Sequence, residues 1–194
     1  QPRLIEQVAD LLRKDQLIIY PTDTSYAFGC RLGAKDALEK LKQIRALDDK
    51  HQFTLLCRDL SEIANYAAVD NVQFKQLKAH TPAPITFILN ATKDVPKKLA
   101  HAKKKTIGIR VPSNAIAQAL LEAMDEPILT SSLILPNRDD ILDDPFEIEE
   151  LLGNQIDGLI NAGIKTTKLT TIVDMTSSQP EIIRQGAADV NSLL

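Results

Sequence analysis

Several short segments place hydroxyls, a carboxylate and arginines where apolar strands end. Pro21-Thr22-Asp23-Thr24-Ser25-Tyr26-Ala27-Phe28-Gly29 directly follows the apolar run Leu17-Ile18-Ile19-Tyr20. Its polar groups therefore emerge at a strand end, where ligands enter open α/β sheets. Thr106-Ile107-Gly108-Ile109-Arg110-Val111 puts Thr106, Gly108 and Arg110 on one face by the period of two. The glycine is expected to leave room beside Arg110. An arginine inside an apolar strand is costly unless it meets an anion. That anion is either a protein carboxylate such as Asp174 or the carboxylate of a ligand. Pro127-Ile128-Leu129-Thr130-Ser131-Ser132, Thr170-Thr171-Ile172-Val173-Asp174 and Ile182-Ile183-Arg184-Gln185-Gly186 add three more polar strand ends. Taken singly, each reads as hydroxyls capping a local turn.

Other chemistries are excluded by spacing. Gly29-Cys30-Arg31-Leu32-Gly33-Ala34-Lys35-Asp36 departs from a phosphate loop, with Asp36 where a magnesium-binding Ser or Thr belongs. There is no GxGxxG fingerprint and no GxSxG elbow. His51, His80 and His101 are scattered, and Cys30 and Cys57 lack zinc-site spacing, so no protein-held metal is expected. The two cysteines read as buried free thiols of a reducing cytoplasm.

The elements that must position these groups follow from periodicity. Helices are expected at 3–14, 34–46, 60–67, 71–79, 114–124 and 145–152, with Ser113 or Asn114 capping the fifth. Strands are expected at 17–20, 53–57, 85–89, 106–111, 128–131, 156–160, 170–174 and 181–184. Their irregular alternation predicts one α/β domain over 1–194, a large, mixed, twisted and largely open sheet flanked by helices. At 194 residues the chain is long enough for a full core without disulfides. No apolar run reaches the ~18 residues of a membrane span, and the N-terminal stretch lacks the order of a signal peptide.

The net charge is −3, which argues against a general nucleic-acid binder but allows a local basic groove. Lys93, Lys97, Lys98, Lys103, Lys104 and Lys105 form the obvious basic run, and residues 139–150 an acidic one. A solvated face accounts for either. Attraction of phosphate-bearing ligands is the functional alternative for the lysines, here expected along the rim of the site.

The ordered series PTDTSYAFG, TPAPITFIL, TIGIRVPSN, PILTSS, TTIVD and IIRQGA resembles the YrdC/YciO family of threonylcarbamoyl-adenylate synthase-like proteins, over about residues 15–188. HQFTLLCRDLSE, RVPSNAIAQALLEA and the acidic segment are most similar to the YciO branch. The resemblance implies a deep positive cavity on one side of the sheet. It also implies the family's reaction, in which L-threonine, bicarbonate and ATP, with Mg²⁺, give threonylcarbamoyl-AMP and pyrophosphate for tRNA modification. Binding of double-stranded RNA is the alternative it brings.

By the same resemblance, Thr24 and Tyr26 match the threonine end of the cavity, and Arg110 the arginine holding the amino-acid carboxylate. Ser132, Thr170 and His51 match substrate contacts, while Thr106, Arg45 and Arg184 match the nucleotide side. No residue is assigned as a general base. Two departures stand out. The family's Lys-x-Arg is Gln43-Ile44-Arg45, and its Ser-x-Asn is Ser132-Leu133-Ile134. A hydrogen bond to a charged group contributes about 1.5–3 kcal/mol. Losing both at the transition state would cost roughly 3–6 kcal/mol, a rate factor of about 10² to 10⁴.

Overall fold

A computed structural model of the chain describes residues 2–165 and 168–194. In chain order the elements are α1 (Pro2–Arg13), β1 (Ile18–Pro21), β2 (Tyr26–Arg31), α2 (Lys35–Arg45), β3 (Thr54–Leu56), α3 (Leu60–Tyr66), β4 (Ala67–Ala68) and α4 (Asn71–Ala79). There follow β5 (Ile85–Ala91), β6 (Thr106–Arg110), α5 (Ala115–Met124), β7 (Ile128–Ser132), α6 (Pro145–Leu152), β8 (Gly158–Leu159), β9 (Thr171–Asp174) and β10 (Glu181–Arg184). The strands make one open sheet in the order β10-β9-β5-β6-β3-β7-β2-β1-β8, with β4 added to β5. It is mixed: β1 with β8, β3 with β6 and β5 with β9 are parallel, and the other pairs antiparallel.

The helices start where side chains satisfy their free N–H groups. Asp59 Oδ1 accepts from Glu62 N at α3, and Asp70 and Gln73 form a reciprocal capping box at α4. At α5 the cap is Asn114, whose Oδ1 accepts from the N–H groups of Ile116 and Ala117. Asp144 caps α6, with Pro145 in its first turn.

Alternation along the strands sorts side chains into two cores. Ile18, Tyr20, Ala27 and Ile128 pack under α1 and α5 through Val8, Leu12, Leu120 and Leu121. Leu17, Ile19, Phe28, Leu55, Phe87 and Ile109 point the other way, against Leu38 and Leu41 of α2, Ile63 of α3, Leu77 of α4 and Ile148 of α6. Further along the sheet from α1 and α5, the alternate row on β3, β5, β6 and β9 is Thr54, Thr86, Gly108, Arg110 and Ile172, and all but the glycine line a cavity.

Three expectations need correction. Tyr26–Arg31 is a fully paired strand between β1 and β7, whereas its sequence reads as the tail of a polar loop. The polar turn is confined to residues 22–25. At 156–160 only Gly158 and Leu159 pair with β1, extended by the bonds Asp157 N to Leu17 O and Ile160 N to Ile19 O. Ala67, read as the last residue of a helix, instead joins Ala68 in pairing with the end of β5. No helix among the described residues is long and apolar enough to cross a membrane.

Candidate functional site

The cavity occupies about 130 Å³ and is lined by side chains from six strands (β3, β5, β6, β7, β9 and β10) and the end of α2. Three guanidiniums converge on it, those of Arg45, Arg110 and Arg184, and no aspartate or glutamate is among the described residues of its lining. Around them stand the hydroxyls of Thr54, Thr86, Thr130, Ser131, Ser132 and Thr170.

Each arginine is held by a different device. Arg110 is 5 % exposed. Its Nη2 donates to Asp23 Oδ1 in an ion pair whose two side chains are almost wholly buried, and to Thr24 Oγ1 at 3.1 Å. The partner is therefore Asp23 on the 22–25 turn, not Asp174, which instead accepts from Thr176 N and Oγ1. The Arg110 Nε is buried and has no protein acceptor. A donor left in that condition costs about 1–3 kcal/mol, and it presents one unused N–H to an anion.

Arg45, the last residue of α2, donates from Nε to Ile134 O at 3.0 Å and from Nη1 to Ser131 Oγ, which ties α2 to the end of β7. Burial lowers its pKa to about 10, so it remains charged at neutral pH. Arg184 donates to Thr170 O and Oγ1 at 3.0 and 3.1 Å, and Thr170 Oγ1 lies 2.8 Å from Thr86 Oγ1. Burial, and then the positive charge of Arg110, lower the Arg184 pKa. Two cations placed to disfavour each other in a carboxylate-free hollow make a site suited to an anion.

His51 lines the same cavity, its ring edge-on to Phe53 with centroids 4.9 Å apart. Burial, followed by the charge of Arg45, brings its pKa down to about 4, so the imidazole is neutral at pH 7. Ser132 and Thr170 also reach the lining. Thr24, Tyr26 and Thr106 do not. Thr24 supports Arg110 from behind. Tyr26 is fully buried, donating from Oη to Gly163 O at 2.6 Å and accepting from Ala162 N at 2.9 Å, which clips the chain beyond β8. Thr106 Oγ1 donates to Gln52 Oε1 at 2.7 Å, and Gln52 is the residue that lines the cavity.

Gly108 does not open space for a ligand. A Cβ there would meet Thr54 Oγ1 at 2.6 Å and Thr86 Cγ2 at 3.1 Å. The glycine instead lets two hydroxyl-bearing side chains close over the strand beside Arg110. Residues missed in the sequence are Asp23 as the arginine's partner, Gln52, Thr54, Thr86 and the apolar pair Ile134 and Ile172. The period of two that exposes Arg110 would also have flagged Thr54 and Thr86 on the neighbouring strands.

Other polar features lie elsewhere. Cys30 and Cys57 are buried free thiols, the first pushed up to about 12 and the second well above its ordinary range by burial, so neither is a nucleophile. No group of three His, Cys, Asp or Glu among the described residues could hold a metal. The six lysines of residues 93–105 occupy the connection from β5 to β6. Since Thr86 lies at the start of β5 and Arg110 at the end of β6, that connection is at the opposite end of the hairpin from the cavity. None of the six lines it.

The family model described as "Telomere recombination", for Sua5, YciO and YrdC proteins, matches residues 10–186. The chain is 50 % identical to YciO of Escherichia coli K12 over 194 residues, all of this chain and 94 % of that protein. It superposes on the crystal structure of E. coli YciO with a TM-score of 0.95 at 49 % identity, again covering 100 % of this chain and 94 % of that one. The fold is shared at 21 % identity with the crystal structure of P. abyssi Sua5 complexed with L-threonine, at a TM-score of 0.87, covering 96 % of this chain and 55 % of that one. With the match spanning nearly the whole chain and the full-length likeness to YciO, this chain belongs to the Sua5/YciO/YrdC family.

Proposed function

We propose that the cavity binds L-threonine, bicarbonate and ATP and makes threonylcarbamoyl-AMP, with a weakened hold on the triphosphate. The observation that carries this reading is the convergence of Arg45, Arg110 and Arg184 in a lining without a carboxylate, with the Arg110 Nε unpaired. The likeness of fold to a Sua5 complexed with L-threonine supports the choice of amino acid.

In this reading Arg110, braced by Asp23 and Thr24, offers its Nε edge to the threonine carboxylate. Arg45 and Arg184 take the phosphate oxygens, and the Ser132 and Thr170 hydroxyls fix orientation. The threonine amine attacks bicarbonate, releasing water. The resulting carboxylate attacks the α-phosphorus, and pyrophosphate leaves with the bonding electrons of the P–O bond. Mg²⁺ would enter with ATP and would offset the charge of its phosphates, since the described lining supplies no carboxylate to hold the ion itself. The protein's contribution is positioning and charge stabilisation. The site is cytoplasmic, and the product serves tRNA modification.

Ile134 stands in the lining where the family's asparagine would donate, and Gln43 is exposed on α2, outside the cavity. Both departures weaken phosphate holding, so turnover is slow. The test is pyrophosphate release from ATP, measured with threonine and bicarbonate each omitted in turn. Release that requires both is expected, and a rate equal to the protein-free blank would overturn the reading.

A second reading, binding of double-stranded RNA, is favoured by one feature. All six lysines of the β5–β6 connection are exposed, and none is ion-paired among the described residues. Such binding would weaken steeply with salt. Affinity unchanged between low and physiological salt would count against it.

A further inference from the structure

The cavity holds three permanent cations and one group whose charge is conditional. Among the described lining residues, His51 is the only one that can gain or lose a proton near neutral pH. It is half-buried, with the Phe53 ring against it, and no hydrogen bond ties either ring nitrogen to another described residue. We propose that an anion of the phosphate class, bound across Arg45, draws a proton onto His51, so that the imidazole becomes a fourth cation of the site only while the anion is present.

The argument is electrostatic. The charged groups acting on His51 are Arg45 at the end of α2 and Asp48 in the following turn, with Arg110 and Arg184 lining the same cavity. Phe53 and Gln52 beside it and Thr130, Ser131 and Ser132 of β7 carry no charge. Asp48 favours the protonated ring, but its Oδ1 already accepts from Lys50 N at 2.9 Å, and it is exposed. Burial and Arg45 therefore dominate, and both favour the neutral ring. A phosphate oxygen set on Arg45 cancels one of these causes and supplies an anionic acceptor for an imidazolium N–H. The sign follows. Protonation is held below the ordinary ~6.5 of imidazole in the free protein and released toward or above it in the complex. Binding then takes up a proton between those limits, and affinity rises as pH falls through that window.

The inference rests on the part of the functional reading that puts phosphate at Arg45, not on threonine or on turnover. The probe is inorganic pyrophosphate with the full chain. Imidazole NMR signals are followed from pH 8 to pH 5, that of His51 being identified by its loss in His51→Gln. Without pyrophosphate the His51 signal is expected to stay that of neutral imidazole, and with saturating pyrophosphate to titrate near or above pH 6.5. Arg45→Gln should raise the ligand-free midpoint. Affinity for pyrophosphate, taken as wild type over His51→Gln so that the probe's own protonation cancels, should rise about tenfold from pH 8 to pH 5.5. A His51 midpoint that is the same with and without pyrophosphate, or no binding of pyrophosphate at all, would overturn the proposal. Loss of threonine-dependent turnover with the titration intact would overturn the synthase reading alone.

Discussion

The arginine cavity and the lysine loop are both cationic, but they arise in opposite ways. Six lysines lie within thirteen residues of sequence, exposed on one hairpin connection. The three arginines are 65 and 74 residues apart, taking Arg45, Arg110 and Arg184 in turn, and meet only because β6, β10 and the end of α2 are brought together. The lysines remain in water, where each charge is screened and side chains are free to move. The arginines are partly or wholly desolvated and held by named acceptors: Asp23, Thr24, Ser131, Ile134 and Thr170. Contiguous charge in a sequence thus marks a solvated surface here, while dispersed charge builds the directional site.

The contrast breaks most readily at Arg110. Arg110→Ala leaves the Asp23 carboxylate buried without its cation, so it should destabilise the protein by about 3–5 kcal/mol. Chemical denaturation measures this, and a change within about 0.5 kcal/mol would show that the ion pair does not brace the 22–25 turn. Asp23→Ala in the Arg110→Ala background should recover part of the loss, since the orphaned charge is then gone.

Ile134→Asn restores a donor to the lining at the end of β7. Calorimetric titration with ATP should register about 1.5–3 kcal/mol tighter binding, as expected for one hydrogen bond to a charged group. Unchanged or weaker binding would sever the link between this position and the phosphates. Gly108→Ala drives a methyl into Thr54 Oγ1 and Thr86, and overpacking of this kind costs about 1–3 kcal/mol. A melting temperature equal to that of wild type would mean that the strand row beside Arg110 gives way easily.

The smallest effect belongs to the other region. Lys97→Gln with Lys98→Gln should change stability by less than about 0.5 kcal/mol and leave ATP binding unaltered. If duplex RNA binds there, the same pair should make the plot of log affinity against log salt shallower, by about one unit for each phosphate that the missing ammonium groups would have neutralised. An effect on ATP binding comparable to that of Ile134→Asn would erase the distinction between the two regions.

Much of the fold was legible because local patterns agree with the tertiary outcome. The stripe of α1 buries Val8 and Leu12 as its period requires, and Asn114 caps α5 as its position suggests. Tyr26–Arg31 was missed because Ser25 and Gly29 flank a short apolar stretch after Pro21, a pattern that also describes a loop. Its strand character comes from two antiparallel neighbours, β1 and β7. The two-residue strand β4 carries too few residues to show any period and exists only through its partner, while the strand expected at 156–160 is cut to Gly158 and Leu159, the two residues that pair with β1 beside it.

For the site, the residue types by themselves determined that Arg110 would be desolvated and in need of an anion, and that hydroxyls would gather at strand ends. The motif series determined the family. Tertiary structure alone decided that the anion is Asp23, that Thr106 acts through Gln52, that Tyr26 turns away to Ala162 and Gly163, and that the lysine run lies across the hairpin from the cavity. The physical reason is the range of each interaction. Period two and apolar burial are set by neighbours along the chain and say which face a side chain takes. The choice of partner for a buried charge depends on strand order and register across a separation of 87 positions in sequence, which only the assembled sheet supplies.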